Sequence, residues 1–304
     1  LSIRRQRQMC IRDSSETFQL ALSASEVENA FDSGKIAALI GMEGGHCIGN
    51  SIAALRMFYR LGARYMTLTH NKSISWADSC TDFPKAHGLT QFGKAVVLEM
   101  NRLGMLVDLS HVSHKPMHAT LDIAKAPVVF SHSSARGLTG HPRNVPDDVL
   151  ARIPENDGVV MVTFVPQFVS DDVYHWELER DGYKALTNSA GDQGADVMRE
   201  WHDVNPVPRA NVGDVADHID HIRRIAGVDH IGIGSDFDGV ASVPDGLEDV
   251  SKYHSLTAEL VRREYSDEDI LKILGRNALR VMRRAEDVSQ TLRNSNRPSE
   301  VLSS

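Results

Sequence analysis

The feature that most constrains the fold is an alternation. Six short β-rich runs, Ile36–Met42, Arg64–Thr69, Met105–Leu109, Pro127–Ser131, Val159–Phe164 and His230–Gly234, are separated by stretches of helical periodicity. The first of these helices starts from a Ser51 cap and places Leu55, Phe58 and Leu61 on one face. The next starts at Thr90, carries Phe92, Val96, Met100 and Leu103, and stops at Gly104. Met117, Leu121 and Ala124 mark a third, and Pro146 opens a short one with Val149, Leu150 and Ile153. Residues 165–212 read as a long polar excursion. A helix with Val215, Ile219, Ile222 and Ile225 then ends at Gly227, and a last one begins at Ser266, with Asp269 as its capping-box partner. Strands alternating with amphipathic helices predict parallel β-α units. Nearly all-apolar strands predict cover on both faces. An open doubly wound sheet and a closed (β/α)8 barrel both satisfy the pattern. No G-x-G-x-x-G follows a strand, which disfavours a dinucleotide-binding sheet.

Residues able to bind metal or move a proton sit where the strands end. Glu43 follows IAALIGM, His70 follows YMTLT, His111 follows LVDLS, His132 follows VVFS and Asp236 follows IGIGS. In a parallel barrel all strand C-termini open onto one face, so these residues would converge there. Taken singly, each has a plainer reading: a hydrogen-bonded histidine on the rim, Glu43 capping the Gly44-Gly45 loop, Asp236 in the turn SDFDG. Together, such residues at five strand ends point to a metal site. Imidazole and carboxylate ligands suit zinc. A carboxylate has two oxygens, so Glu43 can bridge two ions about 3.5–4 Å apart, which would activate a bridging water and polarise a scissile carbonyl.

Other histidines compete for attention among the 14 in the chain. His218-Ile219-Asp220 is an H-x-D triplet, but it lies in a helical pattern, where i and i+2 face different sides. It is expected on a solvated surface with Ile219 turned inward. His114, His118, His202 and His221 are expected on helical or loop surfaces, and His46 and His141 are rim candidates. In SHSSARGLTGHPRNVPDD, Arg143 lies between Pro142 and Asn144, where a stiff backbone can hold a guanidinium as a carboxylate clamp. A surface arginine paired with Asp147 or Asp148 is the equal alternative.

The 304 residues are 41% hydrophobic and 24% charged, ordinary globular values. A net charge of −8 argues against nucleic-acid phosphates or anionic lipid as partners. No apolar run approaches the ~18 residues of a bilayer span. Cys10, Cys47 and Cys80 form neither a C-x-x-C nor an even set, so no disulfide framework is expected. Few cysteines and no membrane-length run favour a cytoplasmic, bacterial-type protein, with any secretion signal expected upstream of the residues present.

At GMEGGHCIGNS, RYMTLTHNKSISWADS, VDLSHVSH, PVVFSHSSARGLTGHPRNVPDDVL, GVVMVTFVPQFVS, HIGIGSDFDGV and LKILGRNALRVMR, the chain resembles the membrane (renal-type) dipeptidase family, peptidase family M19. The resemblance runs over residues 15–285. It implies a (β/α)8 TIM barrel of the metal-dependent hydrolase type with two zinc ions. It also implies hydrolysis of dipeptides to free amino acids by a metal-bridging hydroxide, and a homodimer. On the same ground Glu43 is the bridging ligand, and His111 and His132 are the imidazoles of the second zinc. Asp236 is the acid near the first zinc and accepts a proton from the bridging water. His70 stabilises the tetrahedral intermediate, and Arg143 receives the substrate's C-terminal carboxylate.

One departure stands out. The family's first strand carries an H-x-D pair that binds the first zinc, and no such pair precedes Glu43 here. On the family's count Ile36–Met42 is the third strand. The first two β-α units are therefore expected to be missing, the first zinc site depleted, and the chain as given to have little activity. Residues 1–14, LSIRRQRQMCIRDS, are expected to be a non-native or disordered leader, 15–285 the barrel and 286–304 a polar tail. The competing readings are a mononuclear zinc amidohydrolase acting on a cyclic amide or ester, and a non-catalytic barrel remnant. Intact Glu43, His111, His132 and Asp236 argue against the remnant.

Overall fold

The computed structural model describes residues 14–187, 194–295 and 298–301. The expected leader, Ser14 apart, lies outside them. Eight strands run among the described residues: β1 (Phe18–Leu20), β2 (Ile36–Ala38), β3 (Ile40–Glu43), β4 (Ala63–Thr67), β5 (Leu106–Asp108), β6 (Val128–Phe130), β7 (Val159–Thr163) and β8 (Ile231–Ser235). The chain divides into two compact units.

The first unit holds the residues up to Phe130, together with Arg152–Val159 and those from Arg276 on. The run Ile36–Met42 proves to be two strands. β2 pairs with β1 in parallel, and β3 starts a separate sheet. A β-α pair, β1 and the helix Ala24–Asp32, therefore precedes the first run read from the sequence. At three residues, β1 is too short to show a period. The order β3–β4–β5–β6 follows the chain, each strand parallel to the next. The connecting helices begin and end where their caps dictate. Ser51 Oγ accepts from Ala54 N at 3.3 Å, Thr90 Oγ1 accepts from Gly93 N at 3.3 Å, and Gly104 stops its helix at φ +81°.

The helix capped by Ser266 covers only Asp267–Leu271, and after a break at Gly275 a separate last helix, Asn277–Ser295, lies against Gln91–Leu103 and buries most of its length. Ser289 Oγ donates to Arg102 O at 2.8 Å. Small buried residues, Ala285 and Ser289, carry that contact beyond the point where the aliphatic period fades, so the helix continues to Ser295.

The second unit holds Ser131–Ala151 and Val160–Gly275. β7 and β8 are parallel, with a register shift at Val162/Thr163, just before the strand ends. The helix Val212–Ala226 opens with a capping box, Asn211 and Asp214, and ends at Gly227 with φ +91°. The polar excursion 165–212 is largely helical among its described residues. It contains the helices Pro166–Val169, Asp171–Thr187 and Gly194–Val204. Aromatic rings rather than an aliphatic stripe join the longer two: Trp176 and Trp201 are 5.4 Å apart, Tyr183 stacks on Trp201 at 5.9 Å, and Trp176 Nε1 donates to Asn205 O. No helix among the described residues is long and apolar enough to cross a membrane.

Candidate active site

In the first unit three of the expected residues meet. β3 delivers Glu43, paired in register with Thr67 of β4, and His70 follows three residues after Thr67. Glu43 Oε1 lies 3.4 Å from His111 Nε2 and 3.8 Å from His70 Nε2. The two imidazole rings are tilted, with centroids 4.6 Å apart. Two ligands about 2.05 Å from one zinc at the tetrahedral angle stand about 3.3 Å apart. The Glu43–His111 pair therefore has the bite of two donors to a single ion. His70 stands farther off and is half-buried.

Local structure explains why these side chains face one another. Asp108 ends β5 fully buried and accepts from Thr67 Oγ1 at 2.7 Å and Ser110 N at 3.0 Å, which ties the ends of β4 and β5 together. His111, 6% exposed, sits at φ +66°. A left-handed conformation costs a residue with a Cβ about 1–2 kcal/mol and persists only where its surroundings fix it. Here the His111 carbonyl accepts from Cys80 N at 2.9 Å, Thr69 Oγ1 at 3.2 Å and Ser79 Oγ at 3.3 Å.

In the second unit His132 is buried and its Nδ1 lies 2.8 Å from Ser131 Oγ. A Cβ on Gly234 would come within 2.3 Å of Ser131 O and 3.0 Å of the His132 Cα, so only glycine fits beside this segment. Arg143 donates to His132 O at 3.2 Å and to Ser133 Oγ at 3.4 Å, and its guanidinium lies over the Phe168 ring. It is 4% exposed, while Asp147 pairs with His221 at 2.8 Å. Arg143 is therefore buried rather than a surface arginine. The rim candidate His141 accepts from Arg143 N at 3.1 Å. Burial, and then the charges of Arg143 and Arg136, push it down to about 3. The other rim candidate, His46, is exposed, with its ring against Gly44.

Asp236 follows β8 at φ +78°, after Ser235 at φ +33°. Ser235 O accepts from Phe164 N at 2.8 Å and Thr163 Oγ1 at 3.1 Å, and Tyr253 OH donates to Ser235 Oγ at 3.0 Å. Two expected site residues, His111 and Asp236, thus hold backbone conformations that strand ends rarely adopt.

One expectation needs correcting. The triplet His218-Ile219-Asp220 does lie in a helix, but His218 and His221 are buried, not solvated. His218 Nδ1 accepts from Ala135 N at 3.0 Å and its Nε2 donates to Val169 O at 3.2 Å. Burial outweighs the carbonyl contact and pushes it down to about 4, so it bridges two backbone segments as a neutral ring. The loop after β6 and the helix Pro166–Val169 cover the face that an isolated helix would leave to solvent. His114 and His202 are exposed, as expected, and His118 is half-buried.

The model of the membrane dipeptidase family, peptidase family M19, matches residues 3–296. The chain belongs to this family. It is 44% identical over 276 residues to dipeptidase tcpJ of Claviceps purpurea (strain 20.1), across 90% of this chain and 57% of that protein. The chain thus spans little more than half the length of that relative. Among solved structures it is similar to the probable dipeptidase PvdM of Pseudomonas aeruginosa, with TM-score 0.82 and 27% identity over 92% of this chain and 77% of that one. A metallo peptidase of Rhodobacter sphaeroides, solved with a phosphinate mimic of the dipeptide L-Ala-D-Ala, gives TM-score 0.72 and 26% identity over 88% of this chain and 69% of that one.

For this M19 chain the sequence reading missed Gly234, whose lack of a side chain lets β8 approach Ser131, and Asp78, a buried carboxylate in the loop after His70. The motifs IGIGS and WADS were legible, but neither close approach nor burial shows in residue type.

Proposed function

We propose that the chain carries the active site of a zinc-dependent dipeptidase. Glu43, His111 and His132 are the ligands of one zinc. Glu43 and Asp236 are what the chain offers a second, first-site ion. The observation that carries the reading is the 3.4 Å separation of Glu43 Oε1 and His111 Nε2, the spacing of two donors to one ion. His132, which the family resemblance makes a further ligand, is a buried imidazole whose Nδ1 lies against Ser131 Oγ. When bound, the metal supplies an activated water and polarises the scissile carbonyl.

The protein's own groups do the rest. Asp236 accepts the proton that the attacking water gives up. His70, beside Glu43, donates to the oxygen that gains charge at the scissile carbon. Arg143 receives the substrate's terminal carboxylate. Its anchor is the carbonyl of His132, so carboxylate receptor and metal ligand belong to one rigid segment. A cation at a fixed offset from the metal measures one residue beyond the scissile bond, which selects dipeptides over longer chains. The Rhodobacter sphaeroides neighbour, bound to a dipeptide mimic, supports that substrate class.

The test is hydrolysis of L-Ala-Gly and of its C-terminal amide across a zinc titration. Zinc-dependent release of alanine from the free dipeptide, with little from the amide, is expected. Equal rates on both, or hydrolysis of the free dipeptide unaffected by zinc, would overturn the reading.

A further inference from the structure

The loop between His70 and the helix Gln91–Leu103 takes no part in the chemistry above, yet it touches the backbone on either side of two proposed ligands. On one side Trp76, 1% exposed, packs on Gly45, two residues after Glu43. A Cβ on Gly45 would fall 2.3 Å from the Trp76 ring and 2.5 Å from Leu68 O, so the ring and the segment leading to His70 enclose the turn that carries Glu43. On the other side Ser79 Oγ and Cys80 N donate to His111 O, Ser79 bridges Val112, and Ser113 N donates to Asp78 O at 2.9 Å.

Between these contacts lies Asp78. Its carboxylate is 3% exposed and accepts three backbone N–H groups, from Lys85 at 2.7 Å, Ala86 at 2.8 Å and Gly88 at 2.6 Å. A buried carboxylate with three such donors is well satisfied and rigid. It closes residues 78–88 into a fixed turn. Without it, that backbone would have to find other partners, and residues 76–80 would lose their support.

We propose that this loop is a two-sided clamp, with Asp78 as its keystone, that positions Glu43 and His111 for metal binding. The grip on His111 O keeps the residue in its left-handed conformation, and with it the imidazole at bonding distance from the ion shared with Glu43. The pressure of Trp76 on Gly45 fixes the Glu43 end. Asp78, Trp76 and Ser79 are positioning residues and touch neither metal nor substrate. The inference rests on the proposed metal site.

The experiment measures zinc affinity by competition with a chromophoric chelator, on the full chain and without any turnover assay. Ser79→Ala removes one donor to His111, and Asp78→Asn removes the charge from the keystone while keeping its shape. Val96→Ala, in the buried helix behind, is a control for plain loss of stability. Each clamp variant is expected to bind zinc at least about tenfold more weakly, in the range for groups that orient metal ligands. The control melts earlier but keeps the parent affinity. If Asp78→Asn fails to fold, Ser79→Ala decides. Affinity within twofold of the parent in a folded clamp variant overturns the clamp. An equal loss in Val96→Ala does so too, since the effect would then be general destabilisation. A parent chain that binds no zinc overturns the metal reading itself, and the clamp with it.

Discussion

His218 gives the sharpest stability prediction. It is 1% exposed and held at about 4, against 6.5 for a free histidine. The folded state binds its proton less readily than the unfolded state does. Between these two values the unfolded chain carries more protons, so stability rises with pH there. The contribution is complete above pH 6.5, declines as pH falls towards 4, and is gone below that. The gap of two and a half units, at 1.36 kcal/mol each, comes to about 3 kcal/mol. Urea unfolding of the parent and of His218→Gln from pH 7.5 to 4 measures it. Glutamine can accept from Ala135 and donate to Val169 but does not titrate. The parent is expected to lose about 3 kcal/mol more than the variant across that range. Parallel curves for the two proteins would refute the reasoning.

Other substitutions follow from the same geometry. Gly234→Ala should cost about 1–3 kcal/mol in a thermal melt, the price of overpacking against Ser131 O. Gly182→Ala, in an open helical position, should be neutral or stabilising. Arg143→Gln should raise KM for free dipeptides about 10–100-fold, as for a lost charged hydrogen bond, while C-terminally amidated peptides are unaffected. Ser131→Ala removes the hydroxyl contact to His132 Nδ1 and should weaken zinc binding about tenfold or more by chelator competition.

The strand ends were the legible part. Apolar runs and their caps marked β4 to β8 and the helices at Ser51, Thr90 and Ser266, because burial on both faces and helix termini both write themselves into residue type. Glu43, His70 and His111 were visible for the same reason: a polar residue closing an apolar strand is conspicuous. Four things were hidden. β1 is too short for periodicity. The two longer helices between residues 166 and 204 pack through Trp176, Tyr183 and Trp201, so no aliphatic spacing marks them. His218 reads as a surface residue in a helical wheel because the segments that bury it come from elsewhere in the chain. Asp78 and Gly234 act through backbone contacts, and a sequence carries no mark of where another backbone will pass.

The central claim is that this chain holds a metal through Glu43 and His111. Equilibrium dialysis against zinc, with metal counted per chain, tests it most directly on the parent, Glu43→Gln and His111→Ala. The parent is expected to retain at least one zinc per chain, and each variant to lose it while keeping its far-ultraviolet circular dichroism. A folded parent that retains no zinc, or a Glu43→Gln chain that retains as much as the parent, would contradict the account.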